Sequence, residues 1–132
     1  MYNNIKNMKL NLETTESASQ TDIELFEKEL SFKLGEEYKN FLIEFGTLEV
    51  GYLEFYGFFK DNLSLPSAIY ATKYMRETID DFDKKLVVFY ESGDGSYYSV
   101  DSSDYVYHCT YNRCTNCNMK FKEFIFSKLK EI

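Results

Sequence analysis

The chain has 132 residues, of which 44% are hydrophobic and 18% aromatic, with 12 Tyr, 12 Phe and no Trp. That composition excludes a disordered chain, and the length suits one domain, residues 1–132, which at this size buries roughly two-thirds of its unfolded surface. The formal charge of −7 argues against a general nucleic-acid binder, which needs a basic footprint, and would steer the protein towards a basic partner.

The start, Met1-Tyr-Asn-Asn-Ile-Lys, has no apolar run of signal-peptide length, and no stretch of about 20 apolar residues follows, so the expectation is a cytoplasmic protein with no membrane contact. Residues 1–20 read as a polar lead-in with a possible edge strand at Leu10 and Leu12, and Glu13 to Gln20 as a loop. Thr21 stands three residues before Glu24, a capping-box spacing, and Ile23, Phe26 and Leu30 follow at helical intervals, which predicts a helix over 22–30. A second helix is predicted from Glu36 to Phe45. Its apolar stripe is Tyr38, Phe41, Leu42 and Phe45, its first turn carries Glu36 and Glu37, and Gly46 ends it.

From Thr47 the period drops to two, giving short strands at about 48–50 and 53–58. Ser64 or Ser67 can cap the next helix, with Pro66 in its first turn, and that helix fades by Asp80. Leu86 to Glu91 and Ser96 to Val100 are β-prone runs around Ser92-Gly-Asp-Gly95. Asp-Gly is a strong hairpin signal because the turn needs positive φ, so this is read as the central hairpin of an antiparallel sheet. Asp101 to Asp104 is a turn, Tyr105-Val-Tyr107 a strand and His108 to Asn118 a polar loop. Phe121, Phe124, Ile125, Leu129 and Ile132 stripe a final helix. This order predicts an α+β fold, a twisted antiparallel sheet with helices on its flank.

His108-Cys109-x4-Cys114-x2-Cys117 is the nearest approach to a metal motif. Adjacent residues in a strand face apart, and structural zinc sites usually draw ligand pairs from separate segments, so reduced thiols are the default and no metal or cofactor is expected. One His and no Gly-x-Ser-x-Gly elbow leave nucleophilic catalysis without material. The Gly-Asp-Gly run lacks the Gly-Lys-Ser/Thr ending of a phosphate loop.

Several segments in order resemble the SUKH superfamily, the family of the fungal cell-wall assembly regulator and of many bacterial immunity proteins. Ile23-x2-Phe-Glu-Lys-Glu-Leu30 resembles its opening helix. Phe32-Lys-Leu-Gly-Glu-Glu-Tyr-Lys-Asn-Phe-Leu42 resembles its hallmark Leu-Pro-x-x-Tyr-x-x-Phe-Leu, with Gly35 where Pro is usual. Thr72-x3-Arg76 and Val87 to Asp101 resemble the YobK-like bacterial branch, and Phe121-x2-Phe124 its closing helix. The resemblance implies no catalytic activity and no cofactor. It implies an immunity protein, or antitoxin, that binds a cognate polymorphic or contact-dependent toxin domain such as a nuclease, as a monomer or weak dimer. A regulatory interaction module, and a small metal or redox protein using the Cys109–Cys117 loop, are the alternatives. On this reading the partner-binding candidates are the acidic Glu49, Glu54, Asp61, Asp94, Asp101 and Asp104 and the aromatic Tyr52, Tyr56, Tyr97 and Tyr105.

Overall fold

The structure is a computed structural model describing residues 1–111 and 113–132. Its elements run α1 (Asn3–Lys6), β1 (Glu13–Thr14), α2 (Gln20–Leu30), α3 (Glu36–Phe45), β2 (Leu48–Val50), β3 (Leu53–Phe55), α4 (Ala68–Thr78), β4 (Val87–Glu91), β5 (Tyr97–Val100), β6 (Tyr105–Thr110), β7 (Arg113–Lys120) and α5 (Phe121–Leu129). The α+β class is as expected, but the strands form two antiparallel sheets, ordered β1-β2-β3 and β4-β5-β6-β7. The β4–β5 hairpin therefore contributes one internal strand, β5, and one terminal strand, β4. Just past β3, the Tyr56 N–H donates to the Phe89 carbonyl of β4 at 2.7 Å and ties the two sheets together.

The stripe of α3 is buried in full, and its rings meet those of β4 and α5. Tyr38 lies 4.9 Å from Phe121, and Phe121 4.9 Å from Phe89, both edge-on, the geometry favoured by the ring quadrupole. The Tyr38 phenol is fully buried, yet its hydroxyl donates to the Tyr56 carbonyl at 2.9 Å, so no polar atom is stranded. The buried apolar side chains form one contiguous cluster.

The N-terminal segment differs from its sequence reading. Tyr2 and Ile5 are fully buried, because α1 lays Tyr2 against Phe45 at 5.6 Å and Tyr2 Oη donates to the Glu37 carbonyl at 2.6 Å. The edge strand falls at Glu13–Thr14, in the run read as a loop. Thr15 Oγ1 accepts from the Thr47 N–H at 3.0 Å and holds this edge, a contact across 32 residues that local pattern does not show. Helix α2 begins earlier than read. Ser19 and Asp22 form the capping box, Ser19 Oγ accepting from Asp22 N–H at 3.1 Å and Asp22 Oδ2 from Ser19 N–H at 2.9 Å. In α4 the cap is Ser67, so Pro66 precedes the helix and does not enter its first turn.

The segment read as a loop is largely paired strand: β6 runs to Thr110 and β7 starts at Arg113. The register sets Cys109 opposite Cys114, and the two form a disulfide. The expectation of three reduced thiols is corrected to one, Cys117, whose thiol burial pushes up.

Candidate partner-binding face

The smaller sheet alternates cleanly. Leu48, Val50, Leu53 and Phe55 point into the core, and Glu49 and Glu54 point out, each half-buried. Register then does what composition alone cannot. Glu49 stands directly opposite Glu13 on β1 and directly opposite Glu54 on β3, which places three carboxylates in a row across three strands. Glu91, at the end of β4, joins the same neighbourhood: its Oε2 accepts from Tyr56 Oη at 3.1 Å, and its charge raises Glu54. The Glu54 carboxyl is held above its ordinary range first by burial, then by Glu49 and Glu91. Among the described residues, no ion pair involves Glu13, Glu49, Glu54 or Glu91. Tyr52, in the turn joining β2 to β3, is 73% exposed beside this row.

The other sequence candidates separate by environment. Asp61 is exposed and closes its own loop, accepting from Leu63 N–H and Ser64 Oγ. Asp94 is exposed at the hairpin tip, and the Ser96 hydroxyl, at 2.6 Å, and then the Ser96 N–H hold it below its ordinary range. Asp101 accepts from Ser103 N–H, Tyr105 N–H and Tyr107 Oη, and Tyr105 packs beneath the Lys120 ammonium at 5.4 Å from its ring. Both lie at the far end of β5 from the tip.

Three candidates are removed from any surface role because they are buried. Tyr56 and Tyr97 are each 4% exposed; Tyr56 donates to Glu91 and Tyr97 stacks on Phe82. Asp104 is 5% exposed and is a structural carboxylate. Its Oδ2 and Oδ1 accept from the N–H groups of Glu37 and Tyr38 at 2.9 and 3.0 Å, capping α3. Residue 35, the N-cap of that helix, has no capping side chain, and a Cβ there would overlap the Asp104 carboxylate, which accounts for Gly35. The pattern repeats at α5, whose N-cap Lys120 makes no side-chain cap: Glu37 Oε1 accepts from Lys122 N–H at 2.8 Å.

Sequence reasoning missed Glu13 and Glu91. Glu91 is the exposed end of an otherwise buried β4, and a charge closing an apolar run could have flagged it; Glu13 carried no local signal, since its strand exists only through pairing with β2. The metal reading of His108, Cys109, Cys114 and Cys117 loses Cys109 and Cys114 to the disulfide, and among the described residues no group of three or more His, Cys, Asp or Glu is placed to hold a metal. No helix among the described residues is long and apolar enough to cross a membrane.

No curated protein matches this chain. The SUKH_5 family, described as SMI1-KNR4 cell-wall, matches residues 1–130. With that match over nearly the whole sequence, and with the helix stripes and the Gly-Asp-Gly hairpin in the expected order in an α+β fold, the chain belongs to the SMI1-KNR4 family of the SUKH superfamily.

Proposed function

We propose that this protein is an immunity protein that binds and neutralises a cognate toxin domain, and that the outward face of β1-β2-β3 meets a basic surface on that toxin. SUKH proteins are generally immunity proteins, and the Gly-Asp-Gly hairpin resembles the YobK-like branch. The observation that carries the choice of surface is the row Glu13, Glu49 and Glu54. Like charges directly opposite in a sheet cost stability, and here no cation among the described residues offsets them. A Lys- or Arg-rich face, such as a nuclease uses for phosphate, would relieve that repulsion on docking.

Tyr52 supplies an exposed aromatic anchor beside the charges, and Asp61 and Asp94 are further exposed carboxylates. Asp101 and Tyr105 are left out of the proposed face. Charge of this kind acts mainly on association rate and partner choice, while buried anchors set residence time. The test is co-expression with the C-terminal domain of the neighbouring gene's product. Wild type should rescue growth, and Glu49→Lys with Tyr52→Ala should not. Lysine at 49 would stand between two carboxylates and strengthen the sheet, so loss of rescue would not report misfolding. Rescue by both proteins would remove this face from the proposal, and failure of wild type to bind the neighbouring product would remove the function.

A further inference from the structure

At the opposite end of β4 from Glu91, about 17 Å away for a five-residue strand, the surface changes sign. A shallow groove of about 300 Å³ is lined by Ser31, Lys33, Lys84, Lys85, Ser102 and Ser103, all but Ser31 drawn from segments outside any helix cap. The lysines belong to no ion pair among the described residues, in a chain whose net charge is −7. The hydroxyls of Ser31, Ser102 and Ser103, and the backbone N–H groups of Lys33, Lys84 and Ser102, take part in no hydrogen bond among the described residues. The one carboxylate in the lining, Asp101, is already engaged by Ser103 N–H, Tyr105 N–H and Tyr107 Oη.

Beneath this rim sits another cation. Arg76 of α4 donates through Nη2 to the Leu30 carbonyl at 2.9 Å and the Lys84 carbonyl at 3.1 Å, so it clamps the end of α2 to the 83–85 segment. Its Nε is buried with no partner, and no carboxylate pairs with it among the described residues. The lining thus offers lysine ammonium groups, serine hydroxyls able to donate and free backbone N–H groups. A carboxylate has two oxygens to offer such a lining; a phosphate has more, spread tetrahedrally, and lysine serves phosphate well as a point charge.

We infer that this groove is an oxyanion site for a phosphate group, free or carried as a phosphate monoester. The test is backbone-amide NMR of the whole chain, titrated with inorganic phosphate and in parallel with glycerol 3-phosphate, each against chloride at equal ionic strength. Saturable shifts are expected at residues 31–33, 84–85 and 102–103 with either phosphate and not with chloride. Tighter binding of the monoester would assign the site to an esterified phosphate, and equal binding to free phosphate. Lys33→Gln, Lys84→Gln and Lys85→Gln together should weaken binding about tenfold, since each exposed ammonium contributes a factor of roughly two to three. Lys85→Gln alone, expected to weaken it about twofold, serves if the triple variant does not fold. Shifts that do not saturate, that chloride reproduces, or that the lysine variants leave unchanged would overturn the site.

Discussion

Asp104 and Glu54 are carboxylates of one protein in opposite circumstances. Asp104 is buried with both oxygens accepting helix N–H groups, while Glu54 stands half-buried beside Glu49 and near Glu91 with no cation. The first environment meets a carboxylate with partners: a helix N-terminus offers unsatisfied donors and the positive end of its dipole. The second opposes the charge. In a chain with 22 acidic residues, side-chain type therefore says little about role, and the partners supplied by distant elements say most. Asp104 has both acceptors used in holding the fold; Glu54 and Glu49 repel one another and are not committed to it in that way.

The largest expected effect comes from breaking the first case. Asp104→Ala strands the N–H groups of Glu37 and Tyr38 at the buried start of α3 and should cost about 3 kcal/mol, read by urea denaturation. A loss below about 1 kcal/mol would show that the carboxylate is dispensable to α3. Gly35→Ala attacks the same contact from the other side, driving a methyl into the Asp104 carboxylate, and should cost about 2 kcal/mol. Combined with Asp104→Ala it should add much less than its single effect, because the clash partner is gone.

Gly95→Val probes the hairpin whose tip carries Asp94. Gly95 has φ +91° with nothing within 4 Å of a built Cβ, so the expected cost of about 1 kcal/mol or more is backbone strain alone. An unchanged melting temperature would mean that the turn rearranges freely.

The second case predicts the opposite sign. Glu54→Gln should raise stability at neutral pH by about 0.5 kcal/mol, by removing a repelled and partly buried charge. The folded Glu54 pKa lies above its ordinary 4.5, so the folded state holds this proton more tightly than the unfolded chain does. Stability from this group is fully present below 4.5 and is lost as pH rises through the folded value, so the gain in the variant should vanish in acid. A gain independent of pH would rule out charge as its cause. The smallest effect is expected at Asp94, whose folded pKa is lowered from 3.8 chiefly by the Ser96 hydroxyl. Its contribution is present above 3.8 and lost as pH falls through the folded value, so Asp94→Asn should slightly lower the melting temperature at neutral pH and not in strong acid.

Much of this molecule was legible in its residue order. The stripes of α3 and α5, the buried side of α2, the positive φ of Gly46 and Gly95 and the α+β class follow from periodicity and turn chemistry, which act within a few residues. The family was legible for the same reason, since its motif residues build those elements. Tertiary structure alone decided the rest, because those decisions rest on contacts made across long separations. Gly35 and Lys120 begin helices without capping side chains, and the missing acceptors arrive as Asp104 on Glu37 and Tyr38 and as Glu37 on Lys122. Tyr2 entered the core only by meeting Phe45, and Cys109 met Cys114 only once β6 and β7 paired in that register. The acidic row is the clearest case. Nothing near Glu13 in sequence marks it, and Glu13, Glu49 and Glu54 become one surface because β1 and β3 flank β2 with those residues directly opposite. Alternation can predict which residues of a strand face solvent, but only strand pairing sets which charges stand together there.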